Sequence, residues 1–137
     1  MIATVLMVAS AAVLFALGTT LLIITFVGSK LTPRDPALKV RMGEVSPVIT
    51  KEATVWSFRI GFNISHSMAA MLFGLIYSFL AIAHGGLLFS SPYLLIVGLL
   101  TVGGLFVVGK VYWFSGPFIG IGISLACYIS SVIVALA

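Results

Sequence analysis

Residues 54–84 read TVWSFRIGFNISHSMAAMLFGLIYSFLAIAH, an almost unbroken apolar run that sorts into two faces. At steps of three and four it gives Arg59, Asn63, His66, Ala70, Gly74, Tyr77, Ala81 and His84, the spacing of one side of a helix. The other side carries Ile60, Ile64, Met68, Met71, Leu72, Leu75, Ile76 and Phe79. A helix divided in this way inside a membrane turns its polar edge toward protein, because an amide, imidazole or guanidinium facing hydrocarbon has nothing to bond with. The stretch predicts a transmembrane helix packed among others, with candidate functional residues along its packed edge.

The remainder of the chain shares that solvent preference. Of 137 residues, 61% are hydrophobic and 7% charged, with a mean hydropathy of +1.29; water-soluble domains carry about 25% charged residues. The composition excludes an ordinary soluble domain and predicts an all-α integral membrane protein. One crossing takes about 20 residues, so the chain has room for a single domain of four spans, expected near 2–27, 54–84, 92–109 and 117–135 as an antiparallel four-helix bundle. The first span lacks a basic leading region and is too long for the apolar core of a signal peptide, so it reads as a permanent anchor. Ser91-Pro92 and Gly116-Pro117 suit the starts of the last two helices, and Gly85-Gly86 after His84 suits the end of the second. Cys127, the one cysteine, lies in an apolar run and reads as a small residue at a helix contact.

Charge placement sets the expected orientation. Lys30, Arg34, Lys39, Arg41, Lys51 and Arg59 lie between or at the borders of the first two spans, and Lys110 between the last two. By the positive-inside rule both loops are cytoplasmic, which puts both termini and the 84–91 loop outside. The net charge of +4 then serves orientation and attraction to anionic headgroups. Nucleic-acid binding is not expected, since the basic residues are few and mixed with Asp35, Glu44 and Glu52. The interfacial segment 29–53 has Asp35-Pro36 to begin a short helix and Ser46-Pro47 to end it, with Leu38, Met42 and Val45 toward the membrane. Thr50 is the expected N-cap of the second span.

Arg59, Asn63 and His66 project from one side of the first turns of that span and form one candidate polar cluster. Two readings of it remain: hydrogen bonding between helices, and recognition of a ligand. His66 and His84 stand roughly 27 Å apart on one face, a separation that would suit two haems if a second copy supplied the missing axial ligands. No second His, Cys or carboxylate lies at ligand spacing from His66, so no metal site is expected. Proton-coupled export would need a carboxylate within a span, and none is there. Ser65 and Ser67 point about 100° to either side of His66, which leaves neither aligned as a nucleophile. Gly116, Gly120, Gly122, Ala126 and Ser130 give small-residue spacing in the fourth span, a sign of close helix packing and of self-association.

Thr32-Pro-Arg-Asp-Pro, Ser46-Pro47, Lys51-Glu52, Trp56, Gly61-Phe-Asn-Ile-Ser-His-Ser67, Leu72-Phe-Gly-Leu75 and Tyr112-Trp-Phe-Ser115 together resemble a family of small bacterial four-helix membrane proteins. The resemblance covers most of the chain and implies a multi-pass protein of the bacterial inner membrane, without implying an activity. Arg59, Asn63 and His66 are also similar to the Arg-x-x-x-Asn-x-x-Glu of the membrane-associated proteins of eicosanoid and glutathione metabolism, with His in place of the acid. That similarity implies a homotrimer with a glutathione pocket opening to the cytoplasm. Tyr77, on the same stripe as Arg59, Asn63 and His66, is a further candidate ligand-binding residue by spacing, and the similarity adds Lys110, Tyr112 and Ser115, with Tyr112 or Ser115 supporting the reactive sulfur.

Two functions follow as expectations. One is a noncatalytic membrane protein that binds a small amphipathic molecule or lipid, or serves as an accessory subunit of a larger membrane complex. The other is a glutathione-dependent membrane enzyme, with a haem-binding subunit as a remoter alternative.

Overall fold

A computed structural model describes the whole chain, residues 1–137, as six helices: α1 Ile2–Phe26, α2 Pro36–Glu44, α3 Val55–Ala83, α4 Gly85–Ser90, α5 Pro92–Tyr112 and α6 Ser115–Leu136. The protein is all-α, and α1, α3, α5 and α6 are long and apolar enough to cross a membrane. Helix α3, with 29 residues, is about 43 Å long and overreaches a hydrocarbon core of about 30 Å. The last two helices end at Tyr112 and Leu136, a little beyond the expected 109 and 135, and α6 begins at Ser115, just ahead of Gly116-Pro117.

The connectors depart from expectation in instructive ways. Helix α2 begins as expected, with Asp35 capping through a 3.0 Å bond from the Ala37 N–H to Oδ1 and Pro36 in the first turn. It stops at Glu44, before Ser46-Pro47. Thr50 does not cap α3. Its hydroxyl accepts the Glu52 N–H in a local turn, while the Val55 N–H bonds the Val45 carbonyl at 2.8 Å and closes the intervening loop. Thr54 is the cap: its hydroxyl accepts the Ser57 N–H at 3.2 Å, and Ser57 Oγ accepts the Thr54 N–H at 3.0 Å, a reciprocal box at the helix start. Residues 84–91 are not a plain loop either. His84 leads straight into α4, and Leu88 on that short helix is fully buried. The positive-φ glycine sits instead at Gly28 (φ 77°), just past α1.

The chain divides into two compact units, residues 1–17 with 70–137, and residues 18–69. In the first, α5 packs chiefly on α6, and α4 lies against both. Its core gathers Met7, Ala11 and Leu14 of α1, Phe73, Tyr77 and Ala81 of α3, Leu88, Val102, Ile121 and Tyr128. Lipid tails are as apolar as these side chains, so close packing and hydrogen bonds must hold the helices together. Gly74 shows the closeness: a Cβ there would meet the Ala11 carbonyl oxygen and the Phe15 Cβ at 2.7 Å. Ser124 Oγ lies 3.0 Å from Ser10 Oγ and donates to the Ser10 carbonyl at 2.9 Å, and Ser131 Oγ donates to the Ala3 carbonyl at 2.6 Å. As the numbers rise on α1 they fall on α6, so these two helices run antiparallel. Outward faces are apolar, with Met68, Leu72, Leu75 and Phe79 all exposed, the arrangement expected of a protein bathed in hydrocarbon.

Candidate functional site

The polar edge of α3 divides between the two units. In residues 18–69 the helix enters through its Thr54–Ser57 cap, and Trp56 follows in the first turn. The Arg59 guanidinium lies 4.6 Å from the Trp56 ring centroid and donates from Nη2 to the Leu31 carbonyl. Lys39 of α2 brings its Nζ to 5.5 Å from the same ring. In helices that cross a membrane, Trp and Arg in the first turn are residue types that anchor the helix end where hydrocarbon meets headgroups. Asn63 and His66, one and two turns deeper, are half-buried. The Asn63 carbonyl accepts the hydroxyl of the fully buried Ser67 at 2.8 Å, and Ser65 Oγ donates to the Gly61 carbonyl at 2.9 Å. Both serine hydroxyls that flank His66 thus bond their own helix, which gives neither a base to activate it.

Tyr77 belongs to the first unit, where it is one of a pair. Its hydroxyl donates to the Leu94 carbonyl at 2.6 Å, and the Tyr128 hydroxyl donates to the adjacent Leu95 carbonyl, also at 2.6 Å. The Tyr77 ring stacks on Phe73 with centroids 4.4 Å apart. Gly98 makes room for both tyrosines, since a Cβ there would stand 2.8 Å from Tyr128 Cζ and from Tyr77 Cε2. The Tyr77 hydroxyl is therefore spent on the α5 backbone. Lys110, Tyr112 and Ser115 are exposed around the turn from α5 to α6. His84 lies beyond the end of α3, exposed, with its ring edge-on to Phe79 at 5.3 Å. No three His, Cys, Asp or Glu side chains gather as a metal-binding group.

Sequence periodicity did not mark two further features. One is Thr19 on α1, whose Oγ1 is buried without a hydrogen-bond partner. The other is an apolar cleft of about 390 Å³ in the first unit, bounded by α4, the start of α5 and the end of α6. Leu95, Ile96, Leu99, Ile129, Val132 and Ile133 line most of it. Of its polar lining residues, Tyr128 has its hydroxyl on Leu95, and Ser90 Oγ donates to the Gly86 carbonyl at 2.5 Å. In sequence these positions are ordinary span residues, and a cleft arises only when two helices diverge. No protein-family model, curated protein or solved structure matches the chain.

Proposed function

We propose that the chain is a noncatalytic multi-pass protein of a bacterial inner membrane that holds the apolar part of a small amphipathic molecule or lipid. The cleft between α5 and α6 carries this reading. Its walls offer hydrocarbon contact and no free donor or acceptor, so its occupant is a hydrocarbon chain, the one such species abundant where these helices lie. Arg59, Asn63 and His66 are a separate polar edge in the other unit, through which the protein gains specificity toward a headgroup or a neighbouring helix. The antiparallel four-helix arrangement, with both termini outside and residues 29–53 in the cytoplasm, follows from the basic residues of that segment and Lys110. Self-association, or a place in a larger complex, follows from the small residues of α6 that point away from its buried seam: Ala126 and Ser130 are exposed while Ile121, Ser124, Tyr128 and Ser131 are buried.

A glutathione enzyme would ask Arg59 to bind an anionic cofactor, and haem would ask His66 and His84 for axial ligation; no specific observation favours either. One experiment separates the three. The protein is purified in a mild detergent, and its bound small molecules are identified by mass spectrometry alongside an absorption spectrum. A copurified amphiphile that falls several-fold in Leu99→Trp, which fills the cleft from its exposed rim, at unchanged thermal stability, supports the proposal. Equal retention in the variant refutes it, as does glutathione or a haem Soret band in place of the amphiphile.

A further inference from the structure

We infer that Lys39, Trp56 and Arg59 form a binding site for the phosphate group of an anionic amphiphile at the membrane surface. The inference stands on the second unit alone and is independent of the α5–α6 cleft. Two cations from separate helices, α2 and α3, converge on one indole at 5.5 and 4.6 Å. Neither has a carboxylate partner: the chain's ion pair is Arg41 with Glu44 at 3.6 Å, and Asp35 is committed to capping α2. Like charges gathered on one ring repel each other, and an anion between or beside them reverses that term. The donors suit phosphate in particular. Arg59 uses one N–H on the Leu31 carbonyl, which fixes the plane of the guanidinium and leaves four of its donors, while the Lys39 ammonium keeps three. A planar fork beside a point charge matches a tetrahedral oxyanion with several acceptor oxygens. The depth also fits, since Trp56 and Arg59 lie in the first turns of a candidate span, level with lipid phosphates.

The source of the phosphate is a lipid headgroup or free phosphate in solution, and titration of the full chain distinguishes them. The chain is placed in phosphatidylcholine nanodiscs with Trp113→Phe, which leaves Trp56 as the sole tryptophan reporter. Short-chain phosphatidylglycerol is titrated in one arm and inorganic phosphate in the other. A saturable change in Trp56 emission is expected, in the first arm alone if the ligand is a lipid and in both if phosphate suffices. Lys39→Gln and Arg59→Gln should each raise the half-saturation concentration at least tenfold. Lys51→Gln, which removes an equal charge outside the cluster, should stay within the about fivefold that diffuse attraction gives per basic residue. Trp56→Leu, followed by native mass spectrometry of bound lipid, should lose binding although no charge is removed. No saturable response in either arm overturns the site, and so does an effect of Lys51→Gln as large as that of Lys39→Gln. Lys39 is exposed, so its variant stays informative even if Arg59→Gln fails to fold. Leu99→Trp should leave phosphatidylglycerol binding by native mass spectrometry unchanged, which keeps this site's outcome apart from that of the cleft.

Discussion

At the scale of single residues, the glycines of the spans fall into two kinds that look alike in sequence. At Gly98 an added methyl group runs into the rings of Tyr77 and Tyr128, whereas at Gly104 it meets open space. Overpacking of this kind costs about 1–3 kcal/mol, while Gly→Ala in an open helical position gains up to about 1 kcal/mol from helix propensity. Gly98→Ala should therefore lower the melting temperature in detergent by several degrees, and Gly104→Ala should hold or raise it; equal behaviour of the two would contradict the packing described. The stripe of α3 was legible at Ala70, Gly74, Tyr77 and Ala81, all of which are buried, because polar and small residues contrast there with bulky ones. The tyrosine pair was not. Tyr77 reads from spacing as a candidate ligand group, and only the position of α5 reveals that a backbone carbonyl occupies its hydroxyl.

At the scale of elements, the start of α3 shows what sequence can and cannot resolve. Thr50 and Thr54 both stand ahead of the apolar run, and Thr50 had the acidic Glu52 in its favour as a dipole partner. The deciding contact is not local: the Val45 carbonyl holds the Val55 N–H, so the chain is still turning at residue 50 and becomes helical only after 54. Loss of an N-cap hydroxyl costs about 1 kcal/mol. Thr54→Ala should thus destabilise the helix start and speed amide exchange in residues 55–58, whereas Thr50→Ala should leave those amides protected. The reverse order of protection would restore Thr50 as the cap. Helix α6 was opaque for a different reason. Its buried seam of Ile121, Ser124, Tyr128 and Ser131 and its exposed Ala126 and Ser130 are both built from small and apolar residues, so periodicity offers no contrast between the two faces.

At the scale of the whole molecule, hydropathy picked out the four helices that are long and apolar enough to cross a membrane, since a helix satisfies its own backbone in hydrocarbon. Their expected orientation rests on charge, and the two serine contacts between α1 and α6 independently constrain where the termini lie relative to each other. Ser131 reaches the Ala3 carbonyl and Ser124 reaches Ser10, so both termini emerge at the same end of that helix pair. If all four candidate spans cross a membrane, their even number requires the same result. If the basic segment 29–53 is cytoplasmic, the two ends must both be outside. With Cys127 replaced by Ser, single cysteines introduced by Lys51→Cys and by Ala137→Cys can be probed in intact cells with a membrane-impermeant maleimide. The cysteine at 137 should react, and the one at 51 only after the cells are opened. In the same background, the pair Ala3→Cys and Ser131→Cys should oxidise to an intrachain cross-link visible as a mobility shift under non-reducing conditions. A cross-link together with labelling at 51 in intact cells would keep the helix pairing and invert the orientation, whereas absence of the cross-link would remove the α1–α6 seam itself.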